Sequence, residues 1–86
     1  MEDLKLNYKG VLEMKFYEAL GEVLKEHRTE QERSLSWVAK KSNISISGYR
    51  VIEQGQSKAP MDKIERICDA FGVTLQSVLS DVLKRM

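Results

Sequence analysis

The chain has 86 residues, room for one compact domain and too few for two. Hydrophobic residues make up 42% and charged residues 31%, which excludes a disordered chain, and a single proline with five glycines disfavours a turn-rich β architecture. The net charge is only +1, the lone Cys68 excludes an internal disulfide framework, and no apolar run approaches the ~18–20 residues of a membrane-spanning helix.

The opening Met1-Glu2-Asp3 is acidic and lacks the basic and apolar regions of a signal peptide, so a cytoplasmic setting is expected. Leu4, Leu6 and Tyr8 alternate like a short strand, and Lys9-Gly10 suggests a turn. Residues 1–12 are therefore read as an N-terminal arm and residues 13–86 as the domain.

From Leu12 the period changes. Leu12, Phe16, Leu20, Val23, Leu24 and His27 share one helical face, and this first helix is expected to run to about Glu32. Gly21 inside it costs up to ~1 kcal/mol relative to Ala, a cost explained by close approach of another helix. Ser34 suits the N-cap of a second helix, Leu35 to Lys41, with Val38 and Ala39 inward. Ser42-Asn43-Ile44 forms a turn, since Asn tolerates positive φ. Ser45 caps a third helix, Ile46 to Gln54, and Gly55 stops it. Gln56 to Ala59 is a loop. Pro60 suits the first turn of a fourth helix, whose apolar stripe is Ile64, Ile67, Cys68 and Phe71 and which ends at Gly72. Thr74 caps a fifth, with Leu75, Val78, Leu79, Val82 and Leu83 on one side. The expected fold is all-α, a compact five-helix domain behind a short arm.

Two short helices joined by a three-residue turn, with a small residue in the first, outline a helix-turn-helix. Ala39 sits where the two helices cross, Ile44 plugs the turn, and Tyr49 and Ile52 anchor the third helix from beneath. Ile46, Ser47, Arg50 and Val51 are left pointing outward, where a major groove would lie. Charge distribution agrees with this. Between residues 34 and 60, Lys40, Lys41, Arg50 and Lys58 stand against Glu53 alone, whereas residues 13–33 are acidic.

The run Leu20-Gly21, Leu24, Arg28, Ser34, Val38-Ala39, Asn43-Ile44-Ser45 and Ile52-Glu53-Gln54-Gly55 resembles the Cro/C1-type (xenobiotic-response-element) helix-turn-helix family. Ile64, Ile67, Ala70, Phe71-Gly72-Val73 and Leu75 continue the likeness, which covers about residues 16–80. The resemblance implies a phage-repressor-like domain that binds double-stranded DNA as a homodimer on a near-palindromic operator, its third helix in the major groove. It places Leu35 where relatives carry a phosphate-contacting Gln. There the side chain cannot donate but the backbone N–H can. It also places Ile46 and Ser47 at base-reading positions, with Ser45 before them and Arg50 and Val51 one turn later. It implies a partly buried salt bridge between Arg28 and Glu53. The chain departs from the family pattern at Arg33, usually apolar, and at Ala59, whose proline has moved to position 60. Lys40, Lys41 and Lys58 are expected on phosphates. Ile46 is left to read a thymine methyl group, and Arg50 is the sole charged candidate to read a base, so few base contacts are strong.

Other features are assigned plainer roles. Glu18, Glu22, Glu26 and Glu30 form an acidic ridge read as a solvated face. Val78, Val82, Leu83 and Met86 are read as a dimer face, the alternative being packing against the arm. Trp37 is expected to pack on the first helix, Cys68 to be an inert core thiol, and His27 to have no ligand partners. No nucleophile–base set, phosphate loop or cofactor motif is present, so no enzyme and no cofactor are expected. The rival class is a protein-interaction module such as an antitoxin or adaptor.

Overall fold

A computed structural model describes the backbone of residues 2–86 and the side chains from residue 10 onward. Five helices follow one another: α1 (Glu2–Glu30), α2 (Leu35–Lys41), α3 (Ile46–Glu53), α4 (Met61–Phe71) and α5 (Leu75–Arg85). The all-α, five-helix expectation holds. The strand-like reading of Leu4, Leu6 and Tyr8 and the turn at Lys9-Gly10 do not, because α1 begins at Glu2 and runs through them. The physical reason is that Leu4, Tyr8, Val11 and Leu12 also stand at helical spacing, and nothing on either side offers a strand to pair with. The side chains of Leu4, Leu6 and Tyr8 lie outside the described residues, and with them the suggested packing of an arm against α5.

The helix ends follow their local chemistry. Ser34, Ser45 and Thr74 each accept a hydrogen bond from the backbone N–H three residues on, at 3.0–3.1 Å. Gly55 and Gly72 adopt φ of 73° and 72°. Pro60 sits one place earlier than expected, as the N-cap of α4. α1 ends two residues short of Glu32, which takes φ 55°.

The core joins Leu20, Val23 and Leu24 of α1 to Val38, Ala39, Tyr49, Ile52, Ile64, Ile67, Cys68, Phe71, Val78 and Val82. Leu12, expected on the core face, is exposed together with Val11 and Met14. Val78 and Val82 are 0% exposed. This corrects their assignment to a dimer face, since their side chains are already spent in the core of their own chain. Only Leu83 and Met86 of that set remain open to solvent.

Gly21 explains how closely α1 and α3 cross. A Cβ built there would stand 2.3 Å from the Glu53 carbonyl oxygen and 3.0 Å from that of Ile52. All four glutamates of the acidic ridge are exposed, as expected of a solvated face, and two of them meet a cation. Arg85, at the end of α5, donates from Nη1 to Glu26 at 2.9 Å and lies 3.7 Å from Glu22, tying the last helix to the first. The Arg85 guanidinium holds the Glu26 carboxyl below the usual carboxylate range. Burial, with the Asp69 charge beside it, pushes the Cys68 thiol up to about 11, which keeps it protonated and inert.

Candidate nucleic-acid interface

The α2–turn–α3 unit owes its shape to a few residues. Ala39 is buried at the crossing, where a larger side chain would part the helices. Asn43 takes φ 56° in the turn, the conformation that short polar side chain tolerates. Ile44 is half-buried over the core, and its N–H donates to the Ala39 carbonyl at 2.9 Å. Tyr49 and Ile52 turn into the core. The opposite side of α3 is thereby left to solvent.

One ion pair locks α3 to α1. Arg28 Nε donates to Glu53 Oε2 at 2.8 Å and Nη2 to Oε1 at 2.7 Å, a two-pronged contact. Arg28 Nη1 also donates to the Arg33 carbonyl at 3.1 Å. The Arg28 and Glu53 side chains are 16% and 6% exposed, so water screens the pair little. The carboxylate raises the Arg28 pKa further. Beside them, burial and then the Glu53 carboxylate push the Tyr49 hydroxyl well above its ordinary range.

The sequence-derived site residues fall as follows. Ile46, Ser47 and Arg50 are exposed on the outer side of α3, Ile46 at 47%. Ser45 is exposed, and its hydroxyl accepts from the Gly48 N–H. Val51 is half-buried, at the side where the chain turns back and the Gln56 N–H reaches the Val51 carbonyl. Leu35 is half-buried, packed against the core at the start of α2. Lys58 is exposed in the α3–α4 loop, with its ammonium 3.1 Å from Glu13. Such an exposed pair is worth about 0–1 kcal/mol, so a phosphate can displace the carboxylate. Lys40 and Lys41 are exposed at the end of α2.

Two features escaped the sequence reading. Arg33 lies over the Trp37 ring, its guanidinium carbon 4.1 Å from the centroid, which accounts for a cation where an apolar residue is usual. Trp37 itself is half-buried against the core. The second is a notch of about 230 Å³ between α1, α2 and α3, lined by Lys25, Arg28, Leu35, Arg50, Glu53 and Gln54. Its parts come from three separate stretches of chain, and no local pattern announces it. His27 stacks on Phe71, with ring centroids 5.9 Å apart. No cluster of metal-ligating side chains occurs among the described residues.

Comparison with known proteins places this geometry. The chain is 32% identical over 69 residues to the transcriptional regulator ClgR of Mycobacterium tuberculosis, covering 80% of this chain and 62% of that protein. It thus spans less than two thirds of the curated relatives it matches. Two crystal structures of the clp gene regulator ClgR of Corynebacterium glutamicum are similar at 25% identity. One has a TM-score of 0.77 and covers 80% of this chain and 73% of its own; the other has a TM-score of 0.78 and covers 83% and 91%. Residues 19–79 match the family described as helix-turn-helix domain, which takes in all of α2 to α4, and this chain belongs to that family.

Proposed function

We propose that this protein is a sequence-specific, DNA-binding transcriptional regulator of the Cro/C1 type, acting as a repressor by occupying its operator as a homodimer in the cytoplasm. The observation that carries this reading is the division of α3. Tyr49 and Ile52 fasten one side, the Arg28–Glu53 pair fixes its end, and Ile46, Ser47 and Arg50 stand free on the other. A rigid helix with an open polar and apolar edge is the geometry that enters a major groove. The likeness to ClgR regulators supports the same conclusion.

In this mechanism Ser45, Ser47 and Ile46 meet base edges at the start of α3, with Ile46 against a thymine methyl group. Val51 adds apolar contact beneath them. Leu35 offers its backbone N–H, and Lys40, Lys41 and Lys58 their ammonium groups, to phosphates. Two copies place their third helices about 34 Å apart, one turn of DNA. Leu83 and Met86 of α5, with Val11, Leu12 and Met14 of α1, are among the exposed apolar side chains and are available for pairing. Residues 1–12 form the arm beyond the domain of residues 13–86. Among the described residues no helix is long and apolar enough to cross a membrane.

Selection from a pool of random duplexes with the purified protein tests this. A palindrome with half-sites about ten base pairs apart is expected. A pool that stays random, with the protein instead recovered on one fixed protein partner, would show an adaptor or antitoxin-type module.

A further inference from the structure

The notch beside α3 separates two tasks along one helix edge. Ile46, Arg50 and Gln54 stand four residues apart, so they follow one another on the same side of α3. Only Arg50 and Gln54 reach the notch; Ile46 and Ser47 lie clear of it. Across from them stand Lys25 of α1 and Leu35 of α2. Arg28 and Glu53 cancel one another within the wall. No carboxylate of the described residues lies within salt-bridge distance of Lys25 or Arg50, so the notch carries two uncompensated positive charges.

We propose that this notch is a seat for a single DNA phosphate, with Lys25 and Arg50 as its two cations and Gln54 as an additional donor. The assignment rests on the DNA-binding reading and divides its work. Arg50 positions the duplex, and sequence is read by Ser45, Ile46, Ser47 and Val51.

The test is the salt dependence of duplex affinity, measured by fluorescence anisotropy between about 50 and 200 mM salt. Selected and scrambled duplexes are compared for the wild type, Lys25→Gln and Arg50→Gln. Each substitution is expected to reduce the slope of log K against log salt, the two together by about one, and to weaken both duplexes by the same factor. Both residues are exposed, so the melting temperature stays put and separates lost contact from lost fold. Neutralising the one contacted phosphate as a methylphosphonate should then cost the Lys25→Gln, Arg50→Gln double variant nothing further. The inference is overturned if Arg50→Gln alters preference at one base pair with its slope intact, or if Lys25→Gln leaves the slope unchanged. It is also overturned if inorganic phosphate alone saturates the notch without competing with DNA. Either way, wild-type binding to the selected duplex reports separately on the DNA-binding reading.

Discussion

Replacing Gly21 by Ala tests the packing that holds α3 in place. By helix propensity alone the change should stabilise α1 by about 1 kcal/mol. The structure reverses that sign. The new methyl carbon would stand 2.3 Å from the Glu53 carbonyl oxygen and 2.9 Å from its carbonyl carbon. Both are backbone atoms, so no rotamer change relieves the overlap, and α3 must retreat by on the order of 1 Å to reach ordinary contact. Overpacking of this kind costs about 1–3 kcal/mol. The retreat also stretches the two-pronged Arg28–Glu53 contact, whose loss in full costs about 3 kcal/mol or more. The net expectation is destabilisation by about 2–4 kcal/mol, read as a urea midpoint shift and a fall in Tm of about 10–20 °C. Gly10→Ala is the matched control. Nothing lies within 4 Å of a Cβ there, so it should stabilise the protein by up to about 1 kcal/mol. A Gly21→Ala protein as stable as the Gly10→Ala protein would refute the close crossing of α1 and α3.

Glu53→Ala leaves the 16%-exposed Arg28 guanidinium without its carboxylate and should cost about 3 kcal/mol, measured by chemical denaturation; an unchanged midpoint would show that the pair does not hold α3. Cys68 should resist a thiol reagent at pH 8 in the native protein, since with a pKa of about 11 roughly one thiol in a thousand is ionised and that thiol is buried. Modification at the rate of the urea-unfolded chain would contradict that burial. Arg85→Gln should return the Glu26 carboxyl toward its ordinary pKa in an NMR titration. Because the folded value is depressed, the stabilisation is present above the ordinary carboxylate pKa and is lost as pH falls through the folded value. The variant should therefore show a shallower loss of stability in acid, and an unaltered titration of Glu26 would remove the α1–α5 clasp from the account.

What could be read in advance was local. Ser34, Ser45, Thr74, Gly55 and Gly72 mark helix ends through chemistry confined to three or four neighbours, and each does so in the fold. Asn43 announces the tight turn in the same way. Gly21 announced a close approach but not its partner. The Arg28–Glu53 pair joins residues 25 apart, and only a family likeness made it visible. Arg85 and Glu26 are 59 apart, with nothing in either neighbourhood to connect them. For Leu4, Leu6 and Tyr8, a five-residue alternation competed with an equally good helical spacing, and the continuous ladder of α1 prevailed. The phosphate notch needs three elements brought together before it exists at all.

Amide chemical-shift mapping during titration of isotopically labelled protein with its selected duplex tests the central claim most directly. The account predicts that the largest shifts fall on Leu35, Ser45, Ile46, Ser47 and Arg50, with Lys25 moving alongside them. Shifts confined to α5 and to Val11, Leu12 and Met14 of α1, with α3 unmoved, would contradict it.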